Sequence, residues 1–317
     1  MSIMESPQDK SAPSFREQRI RKITHLYYSR KDIQNAIYTF SKNREISPRY
    51  FEGFGKRPDS FQYLNDVFEM AKKGATSFHC SEELWSEPLN IVTGMNEEQL
   101  NELRIGWDLL IDIDSKYIDY SKISAQIIIN MLKFHGIKNI GVKFSGNKGF
   151  HIIVPWKAFP KEINKVKTSD MFPEYPRIIT QYLMAKTKEE ITGKINKMLH
   201  GKDEFEFIKK YIKRDKGSRE ILDTVSSLKI TNKASMESYR KIDSIKDDEG
   251  SWTKEVLPDI ILVSPRHLFR TPYSLHEKTA LASVVLNTDE IEGFQLKDAD
   301  PLKAKIKDFM PDSKEGE

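Results

Sequence analysis

The eight residues WDLLIDID, Trp107–Asp114, constrain this chain more than any other stretch. Leu109, Ile111 and Ile113 alternate with Leu110, Asp112 and Asp114, the two-residue period of a β-strand. Side chains two apart on a strand leave from one face, so Asp112 and Asp114 stand together on an otherwise apolar segment. Carboxylates so placed repel each other unless a cation lies between them, and hard oxygen donors suit Mg²⁺ or Mn²⁺ rather than zinc. A sheet face wetted by solvent also explains the alternation.

A helix is expected from Ser121 to His135, ended by Gly136. Strands Asn139–Phe144 and Phe150–Trp156 follow, joined by SGNKG, Ser145–Gly149. Strand, helix, strand, turn, strand makes a small mixed α/β unit. In the link, two glycines let backbone N–H groups approach an anion, while Ser145, Lys148 and His151 offer side-chain donors. An ordinary hairpin loop with a solvated lysine is the plainer reading, and no Walker A loop occurs. Further on, Asp259 precedes Arg270, Ser274, His276 and Lys278, on a segment stiffened by Pro272. A buried turn whose histidine satisfies a carbonyl accounts for that segment equally well.

Upstream, helices are expected over Phe15–Tyr28, after an N-cap at Ser29 with Asp32 three residues on, and over Ser60–Lys73 before Gly74. Residues 160–250 read as Lys/Glu-rich and helical, with a helix at Arg177–Met198, a last strand follows at Ile260–Val263, and the C-terminus reads as a short helix and charged tail. Lys+Arg 51 against Asp+Glu 47 gives +4, so any nucleic-acid contact must come from local clusters such as Lys56–Arg57, Lys72–Lys73 and Lys209–Lys216. The single cysteine, Cys80, rules out an internal disulfide framework. No apolar run reaches the roughly 18 residues of a membrane span, and the N-terminus lacks a signal peptide's apolar core, so a soluble, cytoplasmic protein without membrane contact is expected.

Taken in order, DLLIDIDSK, FSGNKGFHIIV and an aspartate before HLFRTPYSLHEKTALASV closely resemble the archaeo-eukaryotic primase superfamily, nearest the small catalytic subunit of archaeal DNA primase. YYSRKDIQNAIYTFSKNREISPRYFEGFGKRP and KKGATSFHCSEELW resemble that family's N-terminal segments, so the likeness spans roughly residues 20–290. It implies a mixed α+β primase core with an RRM-like mixed sheet, N-terminal helices and a helical insertion. The corresponding division is a disordered 1–14, a first core part 15–159, an insertion 160–250, a second core part 251–300 and a charged tail 301–317. It implies that Asp112, Asp114 and Asp259 hold two Mg²⁺ or Mn²⁺ ions, and that Ser145, Lys148, His151, Arg270 and His276 bind the nucleotide's phosphates. Arg44, in KNREI, resembles an N-terminal arginine that reaches the same phosphates.

The sequence departs from that pattern in three places. Residues 152–258 hold no cysteine and only His200, so the family's zinc knuckle is missing and no zinc is expected. Asn147 stands where many relatives carry a basic residue, and the Asp259–Arg270 spacing is one residue short. The expected activity is template-directed primer synthesis from nucleoside triphosphates on single-stranded DNA, in a heterodimer with a primase large subunit and associated with the nucleoid. A gap-filling repair polymerase of the same superfamily, a metal-dependent phosphohydrolase with an aspartyl nucleophile and a silent nucleic-acid-binding subunit are the alternatives.

Overall fold

The structure, a computed structural model, describes residues 14–51, 53–200 and 264–311. In chain order its elements are α1 (Phe15–Tyr28), α2 (Lys31–Phe40), β1 (Ile46–Arg49), α3 (Asp66–Lys72), β2 (Ser77–Ser81), β3 (Glu83–Trp85), α4 (Glu97–Leu103), β4 (Arg104–Trp107) and β5 (Leu109–Ile113). There follow α5 (Ile118–Phe134), β6 (Gly141–Phe144), β7 (Phe150–Val154), β8 (Glu162–Ile163), β9 (Val166–Lys167), α6 (Glu174–His200), β10 (Leu268–Arg270) and β11 (Val285–Leu286). The architecture is mixed α/β, as the motif order predicts.

Two sheets frame the site. One runs β11–β6–β7–β5, the other β1–β2–β10, and every pairing among the described residues is antiparallel. Helix α5 packs on β5 and β7, and its buried Ile127 joins Tyr120, Ile191 and Ile195 in a small cluster with α6. Leu109, Ile111 and Ile113 are buried in the main core, each worth about 1.5–3 kcal/mol of transfer free energy, enough to hold β5 in place. Phe269 of β10 joins the sheets, its ring 5.8 Å from that of His151 on β7.

Several boundaries differ from the sequence expectation for identifiable reasons. The strand expected across Trp107–Asp114 is two strands, because the chain changes partner at buried Asp108: β4 pairs with β3 and β5 with β7, while Asp108 Oδ1 accepts from Trp156 N at 2.7 Å and its Oδ2 pairs with Arg44. Ser29 ends α1 rather than opening α2, its hydroxyl donating to Leu26 O at 2.8 Å, and Arg30 precedes α2. Helix α3 starts at Asp66, since the Asp66 carboxylate accepts from Gln62 N and Tyr63 N, both at 2.8 Å, and ties residues 62–65 into a turn. Gly74, at φ +104°, ends that helix as expected. Helix α6 begins one turn early, at Glu174. After residue 300 the chain makes a turn instead of the expected helix, and Ala304 and Phe309 enter the core. Ile260–Val263, Lys209–Lys216 and Asp259 lie outside the described residues. Among the described residues no helix is long and apolar enough to cross a membrane.

A buried carboxyl gives the fold a pH signature. Glu82 is 1% exposed and neither of its carboxyl oxygens has a hydrogen-bond partner. Burial first, then neighbouring Glu83 and Asp108, push it well above the ordinary carboxyl range. Burial likewise lifts Glu83 to about 7, against the pull of Arg104. Both groups hold their protons more tightly folded than unfolded, so stability present below the unfolded carboxyl value is lost as pH rises towards the folded one. The wild-type melting temperature is expected to fall between about pH 5 and pH 8, and Glu82→Gln to flatten that slope. Thermal melts across the series check this; an identical slope in the variant removes Glu82 from the account.

Candidate active site

The register of three strands builds the centre of the site. Asp112 on β5 stands opposite His151 on β7, and His151 stands opposite Lys143 on β6. These three side chains therefore share one face of the sheet, while Ile111, Ile152 and Val142 belong to the other. His151 Nε2 lies 3.4 Å from Asp112 Oδ1. Burial, then Lys143 and Arg270, depress the His151 pKa well below the usual histidine value, so the imidazole is neutral and faces the carboxylate with Nε2–H. Asp114 is exposed just beyond the end of β5.

Glycine is required at the turn for two separate reasons. Gly146 has φ +101°, and a Cβ there would lie 2.8 Å from His276 Cβ. At Gly149 a Cβ would lie 2.3 Å from Ile113 O, a backbone atom that cannot move aside. The turn closes on itself: Ser145 N donates to Gly149 O at 2.9 Å, and Gly149 N donates to Ser145 Oγ at 3.1 Å. Ser145 accepts in that bond, so its own O–H is available for donation outward. Lys148 is exposed on the turn.

The second sheet brings the basic segment against this turn. Arg270 Nε donates to Ser145 O at 3.1 Å, and Thr279 Oγ1 donates to Gly146 O at 2.8 Å. His79 stands opposite Arg270 across β2 and β10, with its Nε2 3.2 Å from Arg270 Nη1. Arginine only donates, so His79 accepts there and is neutral, consistent with burial and Arg270 driving its pKa far down. His276 Nδ1 accepts from Lys278 N and Thr279 N, at 3.2 and 3.3 Å, which leaves Nε2 as the protonated nitrogen. Burial first, then Arg270, bring His276 down to about 4. In the ligand-free protein His151 and His276 thus contribute hydrogen-bond donors at neutral pH; positive charge comes from Arg270 and lysines.

Arg44 requires correction. Its side chain is buried, with Nε on Phe40 O at 3.1 Å, Nη1 on Ser81 O at 2.9 Å and Nη2 on Asp108, over the Phe40 ring. Its donors are committed to the protein, so it anchors the Asp108 break and does not reach for phosphate. The arginine that stands with the basic segment is Arg49 on β1, whose Nε is 3.8 Å from Glu277 Oε1, next to Arg270. Alternation within ISPR, Ile46–Arg49, was the only sequence signal for it. Lys143 and His79 were also missed: Lys143 is buried, donates to Ser283 Oγ at 2.9 Å, and is pushed well below the usual lysine value by burial and then Arg270.

Asp112 and Asp114 fit a hard divalent cation, being all-oxygen donors at the end of one strand, Asp112 half-buried and Asp114 exposed. Among the described residues no three His, Cys, Asp or Glu side chains group as a metal site, and the third expected ligand, Asp259, lies outside them.

The family model for the DNA primase small subunit matches residues 111–288, more than half the chain. An uncharacterised protein of Methanocaldococcus jannaschii is 37% identical over 84 residues, 26% of this chain and 18% of that protein. The chain therefore spans under a fifth of that relative. Among solved structures, the polymerase domain of Mycobacterium tuberculosis ligase D in complex with DNA aligns with a TM-score of 0.48 at 14% identity, over 89% of this chain and 83% of that one.

Three substitutions test this arrangement. Gly149→Ala is expected to lose about 1–3 kcal/mol of stability by forcing the turn off β5, whereas Gly293→Ala, with open space at its Cβ, leaves the melt unchanged. Arg44→Ala leaves Asp108 buried without its cation, and is expected to cost roughly 3–5 kcal/mol with no specific rise in nucleotide KM. Chemical denaturation gives the first quantity and steady-state kinetics the second.

Proposed function

The chain belongs to the DNA primase small subunit family, and on that premise we propose that it synthesises short primers on a single-stranded DNA template by nucleotidyl transfer. The observation that carries the reading is the meeting of two elements: the Asp112–Asp114 strand end, and a turn hydrogen-bonded to Arg270 and packed on His276. Carboxylates for divalent ions beside donors for phosphate are what a nucleoside triphosphate needs.

In the reaction, the 3′-hydroxyl oxygen of the growing strand attacks the α-phosphorus. The bond from that phosphorus to the bridging oxygen breaks, pyrophosphate leaves with the electron pair, and the hydroxyl proton passes to solvent. Two Mg²⁺ or Mn²⁺ ions held by Asp112, Asp114 and Asp259 would supply Lewis-acid activation of the hydroxyl and neutralise charge on the leaving group. His151 holds the Asp112 carboxylate from the neighbouring strand. Ser145 and His276 donate neutral hydrogen bonds to phosphate oxygens, while Lys148, Arg270 and Arg49 meet the accumulating negative charge. No side-chain nucleophile takes part. A primase large subunit is the proposed partner in initiation.

Asp112→Asn is expected to lose about 100-fold or more in turnover, with the melting temperature retained, because it removes a charged ligand and no packing. Lys148→Ala is expected to raise nucleotide KM several-fold. The assay is labelled-nucleotide incorporation on unprimed single-stranded DNA in Mg²⁺ and in Mn²⁺. Product from the wild type but not from Asp112→Asn supports the reading. Extension only of a supplied primer points to a repair-type polymerase, and substantial activity in Asp112→Asn refutes the metal assignment.

A further inference from the structure

Between Ser264 and Leu286 the chain carries one acidic residue, Glu277, and its carboxylate lies between the arginines assigned above to phosphate. Glu277 Oε2 accepts from Arg270 Nη2 at 2.8 Å, and Oε1 is 3.8 Å from Arg49 Nε. Arg270 gives its Nε to Ser145 O and its Nη1 to His79, and Glu277 holds its Nη2. The two arginines come from β10 and β1, the strands on either side of β2, and a single carboxylate spans the gap. Burial alone would raise the Glu277 pKa, but the charges of Arg270 and Arg49 help to lower it below the ordinary carboxyl value, so the group is ionised.

A carboxylate bridging two guanidinium groups makes the same contacts as two oxygens of one phosphate. Arg270 is buried, and without ligand its charge needs a counter-anion that the protein must itself provide. Glu277 is on a turn and remains 15% exposed, so its side chain has solvent into which to rotate. This argument rests on the phosphate-binding reading of the site. We propose that Glu277 is a displaceable occupant of the phosphate cradle, competing with the incoming triphosphate and refilling the cradle as pyrophosphate leaves.

The test uses the full chain and inorganic tripolyphosphate without divalent cations, so that binding is read independently of Asp112 and Asp114. Calorimetry on Glu277→Gln is expected to show tripolyphosphate held roughly fivefold tighter than by wild type, the scale of one lost competing ion pair near the surface. In the polymerase assay the same variant is expected to show a lower nucleotide KM and stronger inhibition by pyrophosphate. Glu277→Asp keeps the charge but withdraws it by one methylene, and is expected to fall between the two; it serves alone if Glu277→Gln does not fold. Unchanged or weaker binding in these variants overturns the proposal and leaves Glu277 as a support for Arg270. Arg49→Gln separates the two layers of argument, with several-fold weaker binding expected. If it binds tripolyphosphate as wild type does, the phosphate-site reading itself fails and the competition falls with it. If it weakens binding while Glu277→Gln does not tighten it, only the competition is wrong.

Discussion

The pairing of β5 on β7 decides what the rest of this molecule can do, because it sets Asp112 against His151 and, through β6, against Lys143. A slip of one residue would turn Asp112 into the apolar layer beneath α5 and bring Ile111 to the polar face. The apolar side chains of β5 prevent that slip, since a shifted register would turn Leu109, Ile111 and Ile113 out of the core together. The carboxylate is thus positioned by its hydrophobic neighbours. Gly149 completes the arrangement by letting the turn lie directly on Ile113 O.

Around that sheet, buried ion pairs fix segments that hydrophobic packing alone would leave free to slide. Arg44 and Asp108 mark the place where the chain leaves β4 and starts β5. Glu45, with no side-chain exposure, holds Arg57 at 2.9 Å and Arg266 at 2.7 Å, joining an early loop to the segment that enters β10. Glu83 accepts from Arg266 N at 2.6 Å and pairs with Arg104 at 2.8 Å. Such pairs add little net stability against hydrophobic replacements, yet losing one partner strands a buried charge. Their effect here is positional: they bring Arg270 to the turn at Ser145.

The electrostatics of the site follow from the same burial. Histidines 79, 151 and 276 are all driven towards neutrality by desolvation and by Arg270, so the cradle's charge is concentrated on Arg49, Arg270 and the exposed lysines, against Glu277. Two of these groups are oriented by backbone atoms, Arg270 by Ser145 O and His276 by Lys278 N and Thr279 N.

Local periodicity was enough to read Asp112 and Asp114, the turn at Ser145–Gly149, the helices α1 and α5 and the Arg270–His276 segment, because each depends on residues within a few positions of one another. The family resemblance misassigned Arg44, whose partners Ser81 and Asp108 lie far along the chain, and local patterns passed over Arg49, His79, Lys143 and Glu277. A lysine inside GVKF or an arginine after ISP has no local mark that separates a solvated side chain from one aimed at a site. Strand pairing supplies that mark, since register joins β1 to β2 and sets Arg270 of β10 beside His79 of β2, 191 residues away. The sequence alone therefore determined where the paired carboxylates, the glycine turn and the basic segment lie along the chain. Only the tertiary structure decided which cations surround them, because their place is set by cross-strand partners that no local pattern encodes.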